Sequence, residues 1–429
     1  MIDELRNIHF TGLPDVRWDH VLSRNWFEVK CCPSTGSIWN KLKYYSHAFI
    51  LRRSQTDYSL HSDTEVLMTQ FHNIRMNSIK IFESVALLKK SDTIIQHEDT
   101  ILRFNTLITA VSLFFYFIPC WERTLNQTTL PASLKQSIIK TLISLYILNK
   151  ELKQMVNFNK YKLYIAYHDS LPEESFISEL SRQNGLVTAT LQHGQFVNTR
   201  EWVLENSGVE LKTSFSDYFL MWNKFTRDEA LLAGMDERRM KVVGILGYVG
   251  SVYSVCSVPN NGCFGVVIGH PMYERENLNL VAAANILAEK KQFHYYLKLH
   301  PNYSDAHFDT YIDKKWYKGN MKKFTPMMDY ANSVDFSIVG SSSVFSELVY
   351  IKHKVVRYSA LDIKDKYRDI KEGRIFHRPE EVTEAYESDC DEDILFDYVC
   401  TIDNVTESYL NTIDDIIADY KKIGYDVRN

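Results

Sequence analysis

Two short stretches carry residue types that could hold an anion. One is His300-Pro301, closing the apolar run Phe293 to Leu299; the other is Gly340-Ser341-Ser342-Ser343, closing Phe336-Ser337-Ile338-Val339. Both runs are short and rich in β-branched and aromatic residues, as strands buried on both faces of a parallel sheet should be. After the serines, Val344, Phe345, Leu348 and Val349 fall at helical spacing, and Lys354 to Tyr358 reads as the next strand. Strand, Gly-Ser turn, helix and strand make a βαβ unit whose turn lies at the carboxyl edge of the sheet, where open α/β sheets bind ligands. Hydroxyls and backbone N–H groups opening a helix suit a phosphate. His300 could donate a further hydrogen bond to the same anion, and Pro301 fixes the backbone where the strand stops. Serines also serve as plain N-caps, so the turn alone carries both readings.

A third stretch offers a base. The run Leu186 to Leu191 reads as a strand and ends in Gln192-His193-Gly194-Gln195. Gly194 permits a tight turn that projects His193 into a cleft, and an imidazole of near-neutral pKa is a candidate general base for an acceptor hydroxyl. A histidine satisfied by a backbone carbonyl at a turn is the alternative. Cys263 to Ile268 reads as another strand, ending in Gly269-His270-Pro271, and supplies further cleft candidates in Gly269 and His270.

These stretches need a frame to position them. At 429 residues the chain exceeds the usual limit of one core, so two domains are expected. From Leu163 onward, strand and helix patterns alternate in the manner of an α/β protein. The expected division is 1–250 as a first α/β domain with a helical block at about 62–156, 251–262 as linker, 263–404 as a second α/β domain, and 405–429 as a terminal helix crossing back to the first. Within 1–53, Phe27 to Val29 and His47 to Leu51 read as short strands. The acidic run Glu380 to Asp393 reads as a solvated surface.

Composition removes several function classes. Hydrophobic content of 45% with 24% charged residues is that of a folded soluble protein, and a net charge of -5 with no Lys/Arg stripe beside the aromatic residues argues against nucleic-acid binding. The seven cysteines are scattered, with no C-x-x-C pair, which suits a reducing compartment and argues against structural zinc. No D-x-D flanked by apolar strand residues is present, so neither a metal nor any other cofactor is expected. The amino terminus lacks a basic region followed by an apolar one, which leads to an expectation of a cytoplasmic protein. Phe104 to Trp121 is uncharged but broken by Asn105, Thr106, Thr109, Ser112 and Pro119, and reads as a buried or interfacial helix rather than a membrane span.

Three matches taken together resemble a family: Leu191-Gln192-His193-Gly194; the span from Ser216 to Trp222 through Lys241-Val242-Val243-Gly244; and His300-Pro301 with Ser341-Ser342-Ser343. They are similar to bacterial surface-polysaccharide transferases of GT-B architecture, a group that includes CMP-Kdo transferases, polysialyltransferases and CDP-glycerol glycerophosphotransferases of teichoic acid synthesis. The resemblance covers about Leu163 to Tyr358. It implies two Rossmann-like domains facing across a cleft, with the carboxyl-terminal one holding a CMP-, UDP- or CDP-linked sugar and the amino-terminal one a saccharide or lipid-linked acceptor. By the same resemblance His300, Pro301, Gly340, Ser341, Ser342 and Ser343 contact the donor's phosphates, Glu347 reaches toward the ribose, and His193 acts as base or acceptor ligand. The implied activity is metal-independent glycosyl transfer in capsule or lipopolysaccharide biosynthesis, with peripheral contact at the inner membrane face and envelope-polysaccharide assembly partners as open expectations. Polyol-phosphate transfer, sugar-nucleotide epimerisation and non-catalytic assembly stay as alternatives.

Overall fold

Short apolar runs punctuated by Gly, Asp and Lys form the strands of two sheets. The computed structural model describes residues 2–22, 54–61, 63–71, 76–100, 112–192, 215–232, 234–245, 262–321, 325, 327–340, 342, 344–359, 373–399 and 404–426. The first sheet takes β1 (Ser54–Ser59), β2 (Val66–Gln70), β3 (Asp92–Thr100), β4 (Leu163–Ala166), β5 (Val187–Leu191), β6 (Tyr218–Met221) and β7 (Met240–Val242). Its spatial order is β1-β3-β2-β4-β5-β6-β7, antiparallel at β1 with β3 and parallel elsewhere. The second sheet takes β8 (Cys263–Val267), β9 (His294–Lys298), β10 (Tyr317–Asn320), β11 (Phe336–Val339), β12 (Val355–Tyr358) and β13 (Arg374–Phe376). It is parallel throughout, in the order β10-β9-β8-β11-β12-β13. The chain thus winds outward from β8 in one direction and from β11 in the other, the arrangement of a doubly wound sheet.

The helices are α1 (Trp18–Val21), α2 (Met76–Leu88), α3 (Ile118–Asn126), α4 (Ala132–Met155), α5 (Pro172–Gln183), α6 (Lys224–Leu232), α7 (Glu274–Lys291), α8 (Met327–Asn332), α9 (Val344–Tyr350), α10 (Val382–Glu387), α11 (Glu392–Val399) and α12 (Val405–Asp426). Alternation along each strand sends successive side chains to opposite faces. Leu67, Ile94, Tyr164 and Ala166 pack on α3, α4 and α5, with Phe10 and Trp18 from the amino-terminal segment. Phe264, Val266, Leu297, Phe336 and Ile338 pack on α7 and α10. The remaining faces share one cluster, which runs from Val66, Met68, Ile165 and Leu191 through Val399, Tyr409, Ile413 and Ile416 of α11 and α12 to Val267 and Val339. Burying each such side chain contributes roughly 1.5–3 kcal/mol. Although α11 and α12 follow the second sheet in sequence, α12 lies on elements of the first, and α11 packs both on α6 and on α9, where Phe396 stacks on Tyr350. Tyr398 donates to Asp228 at 3.0 Å, Tyr409 to the carbonyl of Gly244 at 3.5 Å, and Lys89 pairs with Asp414 at 2.5 Å.

The block at 62–156 is helical only in part. Val66–Gln70 and Asp92–Thr100 are strands β2 and β3. All of β2 is buried, because it lies between β3 and β4 with both faces covered. A strand buried on both sides shows no two-residue alternation, so its apolar positions pass for helical spacing. The acidic run is likewise more than solvated surface, since it contains α10 with Val382 and Ala385 buried. The strands expected at Phe27 to Val29 and His47 to Leu51 lie outside the described residues, as does the linker apart from Gly262, and Phe104 to Val111. Leu113 is buried and Phe115 and Tyr116 are exposed on a π-helical turn at Leu113–Phe117. Among the described residues no helix is long and apolar enough to cross a membrane.

One close approach holds the second sheet to its helices. Tyr330 of α8, fully buried, lies over Gly265 of β8 and bonds through its hydroxyl to Ser337 of β11 at 3.0 Å. A Cβ on Gly265 would stand 2.0 Å from that hydroxyl. Gly265→Ala is therefore expected to destabilise the protein by about 1–3 kcal/mol through displacement of the ring; a urea midpoint equal to that of the wild type would contradict it.

Candidate functional site

The winding order reverses between β8 and β11, and the crevice beyond their carboxyl ends is where a doubly wound sheet takes its ligand. At the end of β8 stand Gly269 and His270; at the end of β11, Gly340 and the serine turn; at the end of β9, on the other side of β8, His300 and Pro301. The rings of His270 and His300 meet edge to face, with centroids 4.8 Å apart. His300 and Ser342 are not on adjacent strands, because β8 lies between β9 and β11. Two strand spacings separate their strands by roughly 10 Å. His270 stands at the end of the strand between them.

Each of these backbones is pinned. Asn277, buried on α7, accepts the Gly269 N–H at 2.8 Å and donates to the carbonyls of Gly269 and His270 at 3.3 and 3.2 Å. Its amide also donates to the Tyr303 hydroxyl at 3.0 Å, and that hydroxyl donates to Glu274, which pairs with His307 at 2.8 Å. The N–H of Tyr303 donates to the His300 carbonyl at 3.0 Å, closing the turn at Pro301. Asn302 reaches both histidines: its backbone N–H donates to His300 Nδ1 at 3.2 Å and its side-chain nitrogen stands 3.1 Å from His270 Nε2.

The serine turn is narrower in its options than its sequence indicates. Ser342 Oγ accepts the N–H of Val344 at 3.3 Å, so it caps α9. That helix has seven residues, too few for its dipole to define an anion site unaided. A Cβ on Gly340 would meet Glu276 Oε1 at 2.1 Å, which shows a buried carboxylate from α7 pressed onto the turn. An anion has to approach from the other side. Glu347 of α9 is buried, and its charge is felt by Lys298, the last residue of β9. Lys298 is itself buried; its Nζ donates to the Thr325 carbonyl at 3.2 Å and lies 5.6 Å from the centre of the Tyr330 ring. Burial pushes its ammonium pKa down, and Glu347 opposes that shift. Ser341 and Ser343 lie outside the described residues.

On the first sheet, Gln192 ends β5 with its amide fixed on both sides. Its Oε1 accepts the Trp222 N–H at 2.7 Å, and its Nε2 donates to Thr226 at 3.0 Å. His193, Gly194 and Gln195, which follow, lie outside the described residues. The winding of this sheet reverses between β2 and β4, and at the end of β4 stand His168 and Ser170, bonded through His168 Nε2 and Ser170 Oγ at 2.5 Å. Glu174 of α5 accepts the N–H groups of His168 and Tyr167 at 2.6 and 3.2 Å and the Thr69 hydroxyl at 3.2 Å. Complete burial pushes its carboxyl up to about 8, against the pull of those three donors.

Sequence reading thus finds His270, His300, Gly269, Gly340, Ser342 and Glu347 on one edge, and misses Asn302, Asn277, Lys298, His168, Ser170 and Glu174. Only Lys298 carries a local signal, a lysine inside an otherwise apolar strand. The others acquire their place from strand order. Among the described residues, no three His, Cys, Asp or Glu side chains are grouped to hold a metal ion.

No family model matches the chain, and no curated protein matches it in sequence. Solved structures do. A candidate UDP-N-acetylglucosamine 2-epimerase from Listeria monocytogenes is similar at a TM-score of 0.53 and 11% identity, over 84% of this chain and 98% of that one. The UDP-GlcNAc 2-epimerase from Neisseria meningitidis reaches 0.49 at 12% identity, over 82% and 99%; the wall teichoic acid polymerase TagF reaches 0.43 at 11% identity, over 94% and 98%. The Listeria protein carries the comparison, and at that identity the likeness is one of fold. The chain is a GT-B-like α/β protein with two parallel-sheet domains.

The burial of Glu174 has a measurable consequence. The folded state keeps its proton up to about pH 8, while the unfolded chain releases it near the ordinary glutamate value of 4.5. Between these limits the folded state binds more protons, so stability falls as pH rises, by at most about 1.4 kcal/mol per pH unit from this group. Glu174→Gln cannot titrate and is expected to show a flatter dependence between about pH 5 and pH 8 in urea unfolding. Equal slopes in the two proteins would assign the effect to another group.

Proposed function

We propose that the chain transfers a sugar from a nucleotide-activated donor to a saccharide or glycolipid acceptor. The observation that carries this reading is the His270–His300 pair, held edge to face at the carboxyl ends of β8 and β9, beside the turn at Gly340. Nucleotide phosphates seated there meet imidazole donors from His270 and His300 and the positive field of buried Lys298. Pro301 and Gly269 set the backbone on which the histidines stand, and Ser341, Ser342 and Ser343 border the seat on the β11 side. Glu347 keeps the role of a ribose contact, with Lys298 beside it.

The first sheet supplies the acceptor side. His193, directly after the anchored Gln192, removes the proton from an acceptor hydroxyl, with Gly194 and Gln195 shaping its turn. The hydroxyl oxygen bonds to the anomeric carbon. The carbon–oxygen bond to phosphate breaks, and its electron pair leaves on the phosphate. Negative charge grows on that leaving group as the bond breaks, so donors fixed around it stabilise the transition state more than the ground state.

The fold likeness to the Listeria candidate epimerase supports a second reading, in which a nucleotide sugar is epimerised with no acceptor. Incubating nucleotide sugars without acceptor separates the two, since an epimer forms only under the second. For transfer, His300→Ala and His270→Ala are each expected to lower donor turnover by about a hundredfold, as loss of one charge-stabilising donor does. His193→Ala should lower turnover while sparing nucleotide affinity. Near-normal rates in both His270→Ala and His300→Ala would end this assignment.

A further inference from the structure

Asparagine is a poor helix former because its amide competes for backbone groups, yet Asn277 stands in the first turns of α7 and is fully buried. Side chains on a helix lean toward its amino terminus, so Asn277 reaches back over the turn that leads from β8 into α7. Backbone groups in that turn decide which way round its amide lies. The Gly269 N–H can only donate and stands 2.8 Å from Oδ1; the carbonyls of Gly269 and His270 can only accept and face Nδ2 at 3.3 and 3.2 Å. The His270 carbonyl also accepts the Tyr273 N–H at 2.9 Å, which closes the turn onto the start of the helix.

The same nitrogen also reaches the neighbouring turn. It donates to the Tyr303 hydroxyl at 3.0 Å, and that hydroxyl donates to Glu274, the first residue of α7. A hydroxyl that gives its proton to a carboxylate becomes a better acceptor for the amide, so the two bonds reinforce each other. Tyr303 is buried in the turn after β9, and its N–H holds the His300 carbonyl at 3.0 Å. One amide is thus bonded to the turn that carries His270 and to the turn that carries His300. Asn302 touches both rings but belongs to the β9 turn alone, so its reach to His270 depends on where that turn is held.

We infer that Asn277 is the positioning residue of the His270–His300 pair: by tying the turn after β8 to the turn after β9 through Tyr303, it sets the edge-to-face approach of the two rings and with it the affinity of this edge for a nucleotide. The second half of this inference rests on the donor reading above, which supplies the nucleoside diphosphate. The tie between the turns does not depend on that reading.

Isotope-labelled histidine in the full-length protein reads the pair directly, because a ring met edge on shifts the carbon-bound proton signals of its neighbour. His270→Gln is therefore expected to move the His300 ring signals, and His300→Gln those of His270. This mutual response is expected to disappear in Asn277→Leu and in Tyr303→Phe, both still folded by circular dichroism. Tyr303→Phe leaves Asn277 on the β8 turn and cuts only its reach to the β9 turn, so it carries the test by itself if Asn277→Leu does not fold. Asn277→Leu is further expected to weaken CDP or UDP binding by about tenfold, and the double variant to bind no more weakly than Asn277→Leu alone, since both changes break one link. A wild type without the mutual response, a response retained in Tyr303→Phe, additive losses in the double variant, or a folded Asn277→Leu with wild-type affinity would overturn the inference. If the ring signals behave as stated and neither CDP nor UDP binds the wild type, the donor reading fails and the positioning role of Asn277 stands.

Discussion

Parallel pairing is the constraint on which the site depends. Parallel strands cannot be joined by tight turns, so each returns through a helix, and all of their carboxyl ends arrive at one edge. Pairing of β8 with both β9 and β11 is what brings His270, His300 and the Gly340 turn into one neighbourhood across seventy residues of sequence. The same geometry on the first sheet gathers Gln192, His168 and Ser170. With both faces of each sheet covered, the strands cannot slip by one residue without sending an entire apolar set to the wrong side.

A second consequence follows from the cluster shared by the two sheets. Tyr409, Ile413 and Ile416 of α12 lie with Leu191 of β5 and Val267 of β8 in one apolar body, so the terminal helices tie the two halves of the chain together. Polar contacts at the margin, such as Tyr398 with Asp228, add little energy but fix the register of α11 against α6. Large hydrophobic contact of this kind restricts relative motion of the two halves.

Much of the second sheet was legible because its strands are short, apolar and closed by Gly, His-Pro or Ser, and such runs admit few alternatives. Strands β2 and β3 were not, because Val66–Gln70 is buried on both faces and its apolar positions match a helix as well as a strand. The site was legible in its parts and not in its arrangement. His270 looks secondary in sequence and becomes central once β8 is seen to lie between β9 and β11. Glu174 looks like an ordinary acidic residue in the first turn of a helix, yet it is fully buried and clamps the end of β4. Asn302 gives no signal of its own, since its contacts come from the meeting of two rings carried by different strands.

The account stands on a nucleotide's phosphates being seated at the carboxyl edge of the second sheet. Thermal unfolding of the wild type and of His300→Ala in the presence of CMP, CDP, UDP and GDP tests this most directly, because a ligand that binds the folded state raises its melting temperature according to its affinity. At least one of these nucleotides is expected to raise the wild-type transition, by a shift that shrinks markedly in His300→Ala. No shift with any of them, or the same shift in both proteins, would contradict the account.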